Sequence, residues 1–176
     1  MQAGIRGGQG LMVAAMHRCG MVFALKISTL VPLVAGVGGH SVYDNSEGTA
    51  LHEAELATTM VHPFVVPSLG SFIHGDRLYL VMKHLTGSLD VAAITSDAYR
   101  ECFACDVLTQ TSFALEYVHE QGVAHCDIKP DNVLVSDRDD CALCDFGISR
   151  RVVAGAGDFA PQGKTLVKTA GYCDGP

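Results

Sequence analysis

His125-Cys126-Asp127-Ile128-Lys129-Pro130-Asp131-Asn132, followed by Asp145-Phe146-Gly147 eighteen positions after Asp127, is the stretch whose reading decides the fold. Within it an aspartate, a lysine and an asparagine stand at offsets of zero, two and five, as Asp127, Lys129 and Asn132. Pro130 has no amide hydrogen and fixes its own φ, so these residues belong on a rigid loop rather than inside a helix. An ordered loop with that much polar and charged functionality calls for ligands of opposite sign. A divalent cation and phosphate fit best, because hard cations take oxygen ligands such as those of Asn132 and Asp145 and bridge them to phosphate oxygens.

The block resembles the catalytic loop (His-Arg-Asp-x-Lys-Pro-x-Asn) and the metal-binding Asp-Phe-Gly of eukaryotic protein kinases. A lysine two positions after the aspartate is similar to the Ser/Thr branch. The resemblance implies an α+β, two-lobed fold: an N-lobe antiparallel sheet with one main helix, then a helical C-lobe that is truncated here. It assigns residues 1–82 to the N-lobe, with an incomplete first strand. Residues 83–176 become a partial C-lobe holding hinge, long helix, catalytic loop and activation segment. The implied activity is that of an ATP-dependent protein serine/threonine kinase moving the γ-phosphoryl group to a protein hydroxyl, with ATP and Mg²⁺ as cofactors. In that scheme Asp127 orients and deprotonates the acceptor, Lys129 stabilises charge on the moving group, and Asn132 and Asp145 hold Mg²⁺.

Working outward, 176 residues are the size of one domain and can bury a sizeable core. Twelve basic against nineteen acidic residues leave a net charge of -7, which argues against a nucleic-acid surface. The most apolar stretch, 21–39, is interrupted by Lys26, Pro32 and glycines, so no membrane span is expected. The glycine-rich start lacks the apolar core of a secretory signal, and an intracellular, cytoplasmic location is the expectation. Of seven cysteines, Cys102-x-x-Cys105 and Cys141-x-x-Cys144 invite a zinc reading. The first pair falls in a helical pattern and the second in a strand, where residues three apart point to opposite faces. Reduced structural thiols are the better reading.

Upstream, Gly7, Gly8 and Gly10 precede an apolar run, a turn at Arg18-Cys19-Gly20, and a second run ending in Lys26. This hairpin pattern puts glycines where a backbone must approach a ligand closely. It resembles the kinase glycine-rich loop and the Ala-x-Lys strand, with Ile5 in place of the family's first glycine and Met12 in place of valine. The resemblance implies that Met12 and Ala24 roof the adenine and that Lys26 contacts the α- and β-phosphates. Residues 27–48 read as a long loop. Thr49 is a reasonable N-cap for a helix running to Val61. Glu53 lies nine positions before His62-Pro63, the offset of the kinase glutamate that pairs with the strand lysine; Glu55 is the competitor.

Phe64–Val66, Leu69–Ile73 and Leu78–Met82 read as short strands, with 74–77 as a hairpin turn. By resemblance Met82 is the gatekeeper, the backbone of Lys83 and Leu85 bonds the adenine, and Leu134 floors it. Ser96-Asp97 can cap a long helix that stops at Gly122, with Tyr99, Phe103, Val107, Ala114, Leu115 and Val118 on one face. Val133–Val135 and Ala142–Cys144 read as a small hairpin that sets Asp145 opposite Asn132. Thr169-Ala170-Gly171-Tyr172 resembles the end of the activation segment, but Asp174-Gly175-Pro176 replaces the family's Ala-Pro-Glu.

Two rival readings stay open: a catalytically inactive kinase-like module that binds nucleotide or a partner, and a fragment without function of its own. Ile5, Met12, Cys126 and the altered ending support the first. A mean hydropathy of +0.25 accords with the second. The expected partner of an active enzyme is a protein substrate, with no nucleic acid and no membrane. Cys126 stands where the family's arginine often pairs with a phosphorylated activation-segment residue, and cysteine cannot supply that charge. Phosphorylation at Thr165 or Thr169 is therefore expected not to switch the protein through that contact. A large activation on phosphorylation, abolished only by substituting Cys126, contradicts this.

Overall fold

The computed structural model describes residues 5–7, 10–30, 32–34, 42–43, 45, 48–85, 87–89, 97–136 and 140–152. The chain opens with three antiparallel strands, β1 (Ile5–Gly7), β2 (Gly10–Met16) and β3 (Val22–Thr29). A short hairpin follows, β4 (Pro32–Val34) and β5 (Val42–Tyr43), then helix α1 (Ala50–Thr59). Strands β6 (Ser68–His74) and β7 (Arg77–Lys83) complete a five-stranded sheet in the order β1-β2-β3-β7-β6. Gly10 is required where it stands: a Cβ there would lie 2.9 Å from the Ile27 carbonyl oxygen on the adjacent strand.

Thr49 caps α1 as its sequence suggests, its hydroxyl accepting from the His52 N–H at 3.3 Å. The helix packs on β6 and β7 and buries Ala54, Leu56 and Ala57, which join Leu30, Met60, Leu78 and Leu80 in the core. That burial, rather than intrinsic propensity, holds a helix of only ten residues.

The second half is built on α2 (Asp97–Glu120), preceded by the two-residue strand β8 (Gly87–Ser88). Phe103, Val107, Ala114 and Val118 are buried along one face of α2, as their spacing indicates. Gly122 ends the helix with φ of 68°, a left-handed conformation that glycine adopts without strain. Then come β9 (Val123–Ala124), a single 3₁₀ turn (Pro130–Asn132), β10 (Val133–Val135), β11 (Cys141–Leu143) and β12 (Arg150–Arg151). β10 pairs with β11 on one side and β8 on the other, while β12 pairs with β9. The architecture is α+β, a sheet with one packed helix joined to a half organised around one long helix, as expected.

Several sequence expectations need correction. Residues 27–48 are not a continuous loop: Ile27, Ser28 and Thr29 extend β3 by pairing with Tyr79, Leu78 and Arg77, and β4–β5 follows. Phe64–Val66 is no strand; a single parallel bridge, Val65 to Leu143, ties it to β11. The strand expected at 142–144 starts one residue earlier, because Cys141 pairs with Val135 while the Cys144 N–H turns to the Asn132 carbonyl at 2.9 Å. The Ser96 cap, Gly8 and the segment from 153 onward, with Thr165 and Thr169, lie outside the described residues.

Leu56 is 0% exposed and Leu69 is 58% exposed, so the two leucines should respond oppositely to truncation. Leu56→Ala is expected to lower unfolding free energy in urea by about 2–5 kcal/mol, through lost burial and a residual cavity. Leu69→Ala should stay within about 0.5 kcal/mol. Equal losses at both positions would contradict the packing described.

Candidate active site

Lys26 sits mid-strand on β3, paired with Met12 on β2 and Leu80 on β7, so backbone bonds on both sides fix where its side chain emerges. Its ammonium lies 2.5 Å from Glu53 Oε1 on α1 and 2.9 Å from Asp145 Oδ1 in the loop after β11. Lys26 is 8% exposed and Glu53 4% exposed, so this is a largely desolvated charge cluster. Burial by itself would lower the Lys26 pKa, but the two carboxylates overcome it and hold the amine above its ordinary value, firmly protonated. Asp145 also feels burial, which opposes its charge; Lys26 and the Gly147 N–H at 3.3 Å outweigh that and keep its carboxyl below the usual range. Asp145 has φ of 66°, a left-handed conformation that aspartate tolerates better than most residues.

Glu55, the alternative partner for Lys26, points elsewhere. Two residues further along a helix lie about 200° around its axis. Its oxygens bond Arg151 Nη2 at 2.8 Å and Asn45 Nδ2 at 3.1 Å.

The second cluster is the 125–132 loop. Asp127 Oδ2 accepts from Lys129 Nζ at 2.6 Å and from Asn132 Nδ2 at 2.8 Å, and Asn132 Nδ2 also reaches the Asp127 carbonyl at 2.8 Å. The hydrogen bond to Asp127 raises the Lys129 pKa against a smaller opposing effect of burial. His125 supports the loop from inside. Its Nδ1 accepts from the Asp127 N–H at 3.3 Å, so its Nε2–H donates to the Cys144 carbonyl at 2.9 Å. Burial depresses its pKa and keeps the ring neutral. The ring also packs against Phe146, with centroids 5.1 Å apart. One imidazole thus couples the loop that carries Asp127 to the loop that carries Asp145. Ser149 Oγ donates to the His125 carbonyl at 3.0 Å and reinforces that link.

The residues expected around a nucleotide take these positions. Gly7 pairs with Gly10 across β1–β2, Ala24 pairs with Met82 across β3–β7, and Leu134 pairs with Ser88 across β10–β8. The Lys83 N–H is committed to the Pro67 carbonyl at 2.9 Å, so only its carbonyl could be offered to a ligand. Sequence reasoning missed two contacts that only the fold creates: Glu55 with Arg151, and the Gln110 side chain accepting from the Cys141 N–H at 2.6 Å.

A sheet carrying a lysine, a helix carrying its glutamate and paired loops carrying Asp127, Asn132 and Asp145 together define a protein kinase domain. The chain belongs to that family: the family model described as protein kinase domain matches residues 6–174. It is 32% identical over 150 residues to a probable serine/threonine protein kinase of Arabidopsis thaliana, covering 82% of this chain and 11% of that protein. It is 30% identical over 136 residues to the serine/threonine-protein kinase greatwall of Gallus gallus, covering 76% and 14%. Aurora kinase of Saccharomyces cerevisiae is 28% identical over 164 residues, covering 88% and 42%. The chain therefore spans less than half the length of each of these relatives.

Cys144 immediately precedes Asp145 and is partly buried; burial, with the Asp145 charge second, pushes its thiol up to about 12. Thiolate is the reactive form, so at about pH 8 iodoacetamide should modify the exposed Cys19, Cys105 and Cys126 and spare Cys144. Peptide mass mapping reads this directly. Cys144 alkylated as fast as Cys19 in the native protein would contradict the burial.

Proposed function

We propose that this chain carries the nucleotide-binding and phosphoryl-transfer core of a protein serine/threonine kinase, residues 1–82 forming the N-lobe and 83–176 part of the C-lobe. The observation that carries the reading is the Lys26 ammonium held at once by Glu53 and Asp145, 2.5 and 2.9 Å away, from elements far apart in sequence. An amine that must grip phosphate oxygens benefits from fixed counter-charges that orient it before ligand arrives.

The donor set fits Mg²⁺. Asn132 donates its amide nitrogen twice to Asp127, which leaves its oxygen for a cation, and Asp145 keeps Oδ2 beyond the oxygen that Lys26 and Gly147 use. One carboxylate plus one amide oxygen, completed by phosphate oxygens and water, matches the hard, oxygen-seeking character of that ion. When bound, Mg²⁺ would neutralise charge on the phosphates of ATP. Lys26 would orient the α- and β-phosphates, and the glycines Gly7, Gly8 and Gly10 would let backbone approach them closely. Met12, Ala24, Met82 and Leu134 supply apolar contact for the base, and the backbone of Lys83 and Leu85 supplies its polar contacts.

Asp127 accepts the proton of a serine or threonine hydroxyl on a protein substrate. As the acceptor oxygen bonds to the γ-phosphorus, the bond from that phosphorus to the β–γ bridging oxygen breaks and ADP leaves. Lys129, 2.6 Å from Asp127, would offset the charge on the moving phosphoryl group. Catalysis of this kind is positioning plus electrostatics. No described helix is long and apolar enough to cross a membrane.

A second reading, an inactive nucleotide- or partner-binding module, draws on Cys126, which lacks the cationic side chain common at that position. It also adopts φ of 65°, a strained conformation for cysteine.

Asp127→Asn in the full-length protein separates the two. It should lower kcat by about 10²–10⁴-fold in a labelled-ATP assay while Mg²⁺-dependent ATP binding stays near wild type. Equal turnover of variant and wild type would remove Asp127 from its role. ATP binding without turnover in wild type would favour the module.

A further inference from the structure

We infer that Glu55 on α1 and Arg151 on β12 form a latch that positions α1, and with it Glu53, for the Lys26 pair. The inference rests on the kinase reading of that pair but uses contacts outside it. Glu55 and Arg151 are 96 positions apart, yet Nη2 and Oε1 meet at 2.8 Å. The other Glu55 oxygen is held by Asn45 at 3.1 Å, so the carboxylate is engaged on both sides although it lies at the surface.

The far end of the latch is anchored to the loop that carries Asp127. β12 pairs with β9, Arg151 opposite Val123 and Arg150 opposite Ala124, and the Val152 N–H donates to the Gly122 carbonyl at 2.7 Å. β9 runs directly into His125 and Asp127. Arg151 therefore connects α1 to the catalytic-loop platform by a route that passes through neither Lys26 nor Asp145. The inner face of α1 is gripped at Glu53 and its outer face at Glu55. Two grips on opposite faces oppose rotation about the helix axis, which one grip cannot. Arg151 thus provides a cationic tie between this platform and the helix. Hydrogen bonding from Asn45, then Arg151, keeps the Glu55 carboxyl below its ordinary pKa.

Exposed ion pairs are weak, and one of this kind moves an equilibrium by about two- to five-fold. Hydrogen exchange of the α1 amides in the full-length protein reads that shift. Glu55→Gln and Arg151→Gln should each speed exchange by about two- to five-fold, and the double Gln variant should be no faster than either single one. The charge-reversed pair, Glu55→Arg with Arg151→Glu, should return exchange to the wild-type range. Salt at about 1 M, where screening acts within about 3 Å, should speed wild type and leave Glu55→Gln unchanged. Unchanged exchange in both single variants overturns the latch. So do additive effects in the double variant, or failure of charge reversal to restore protection, which marks a packing role instead. Turnover is measured on the same variants. Kinase activity that stays at the wild-type level while α1 exchange rises overturns the positioning role. A wild type with no turnover at all fails the kinase reading alone, because exchange still decides the latch.

Discussion

A buried ammonium held between two carboxylates organises this molecule. Lys26, Glu53 and Asp145 come from a strand, a helix and a loop, and the two carboxylates offset the cost of burying the ammonium. Moving an isolated charge out of water is costly, so the buried ammonium depends on the carboxylates that helix and loop bring to it. The apolar core under α1 brings the pieces within reach, and the ion cluster joins them. A cation preset in this way is also the kind of group a phosphate would meet without further reorganisation.

The 125–132 loop solves a related problem with less burial. Asp127 is restrained by Lys129 and Asn132, and those bonds aim its carboxylate. Neutral His125 performs the coupling: with one nitrogen accepting and the other donating, it ties the Asp127 backbone to the Cys144 carbonyl next to Asp145. A charged ring could not accept at Nδ1, so the low pKa that burial imposes is a condition of the geometry. Strained backbone is concentrated beside these groups. The two described non-glycine residues with positive φ, Cys126 and Asp145, flank the polar atoms in question.

Much of this was legible from the chain because the chemistry is local. The 125–132 loop, the Thr49 cap, the α2 face and the hairpin turn expected at 74–77, which closes to 75–76 between β6 and β7, each follow from a few neighbouring residues. Glu53 was distinguishable from Glu55 by its offset, and the helix confirms that only one of them faces Lys26. What the chain hid is long-range. Two-residue strands such as β8, β9 and β12 carry no periodicity to detect, since they exist only because a distant strand offers hydrogen bonds. For the same reason β3 outran its expected end: Ser28 and Thr29 are ordinary loop residues until β7 lies beside them. Arg151 is one of two adjacent arginines, and nothing in its neighbourhood names Glu55 as its partner.

The separation of Lys26 from Asp145 by 119 positions has a consequence for how the molecule is made. During synthesis the strand and helix emerge early, and Lys26 can meet Glu53, 27 residues on, as soon as the first hairpin and α1 have formed. Asp145 arrives only after α2 and the loop behind it. Closing so long a loop costs conformational entropy that no contact repays until the far half has folded. A nascent or partly folded chain therefore holds a sheet and a helix with an unfinished charge cluster between them. The complete three-member cluster is therefore a property of the folded whole and not of its first half.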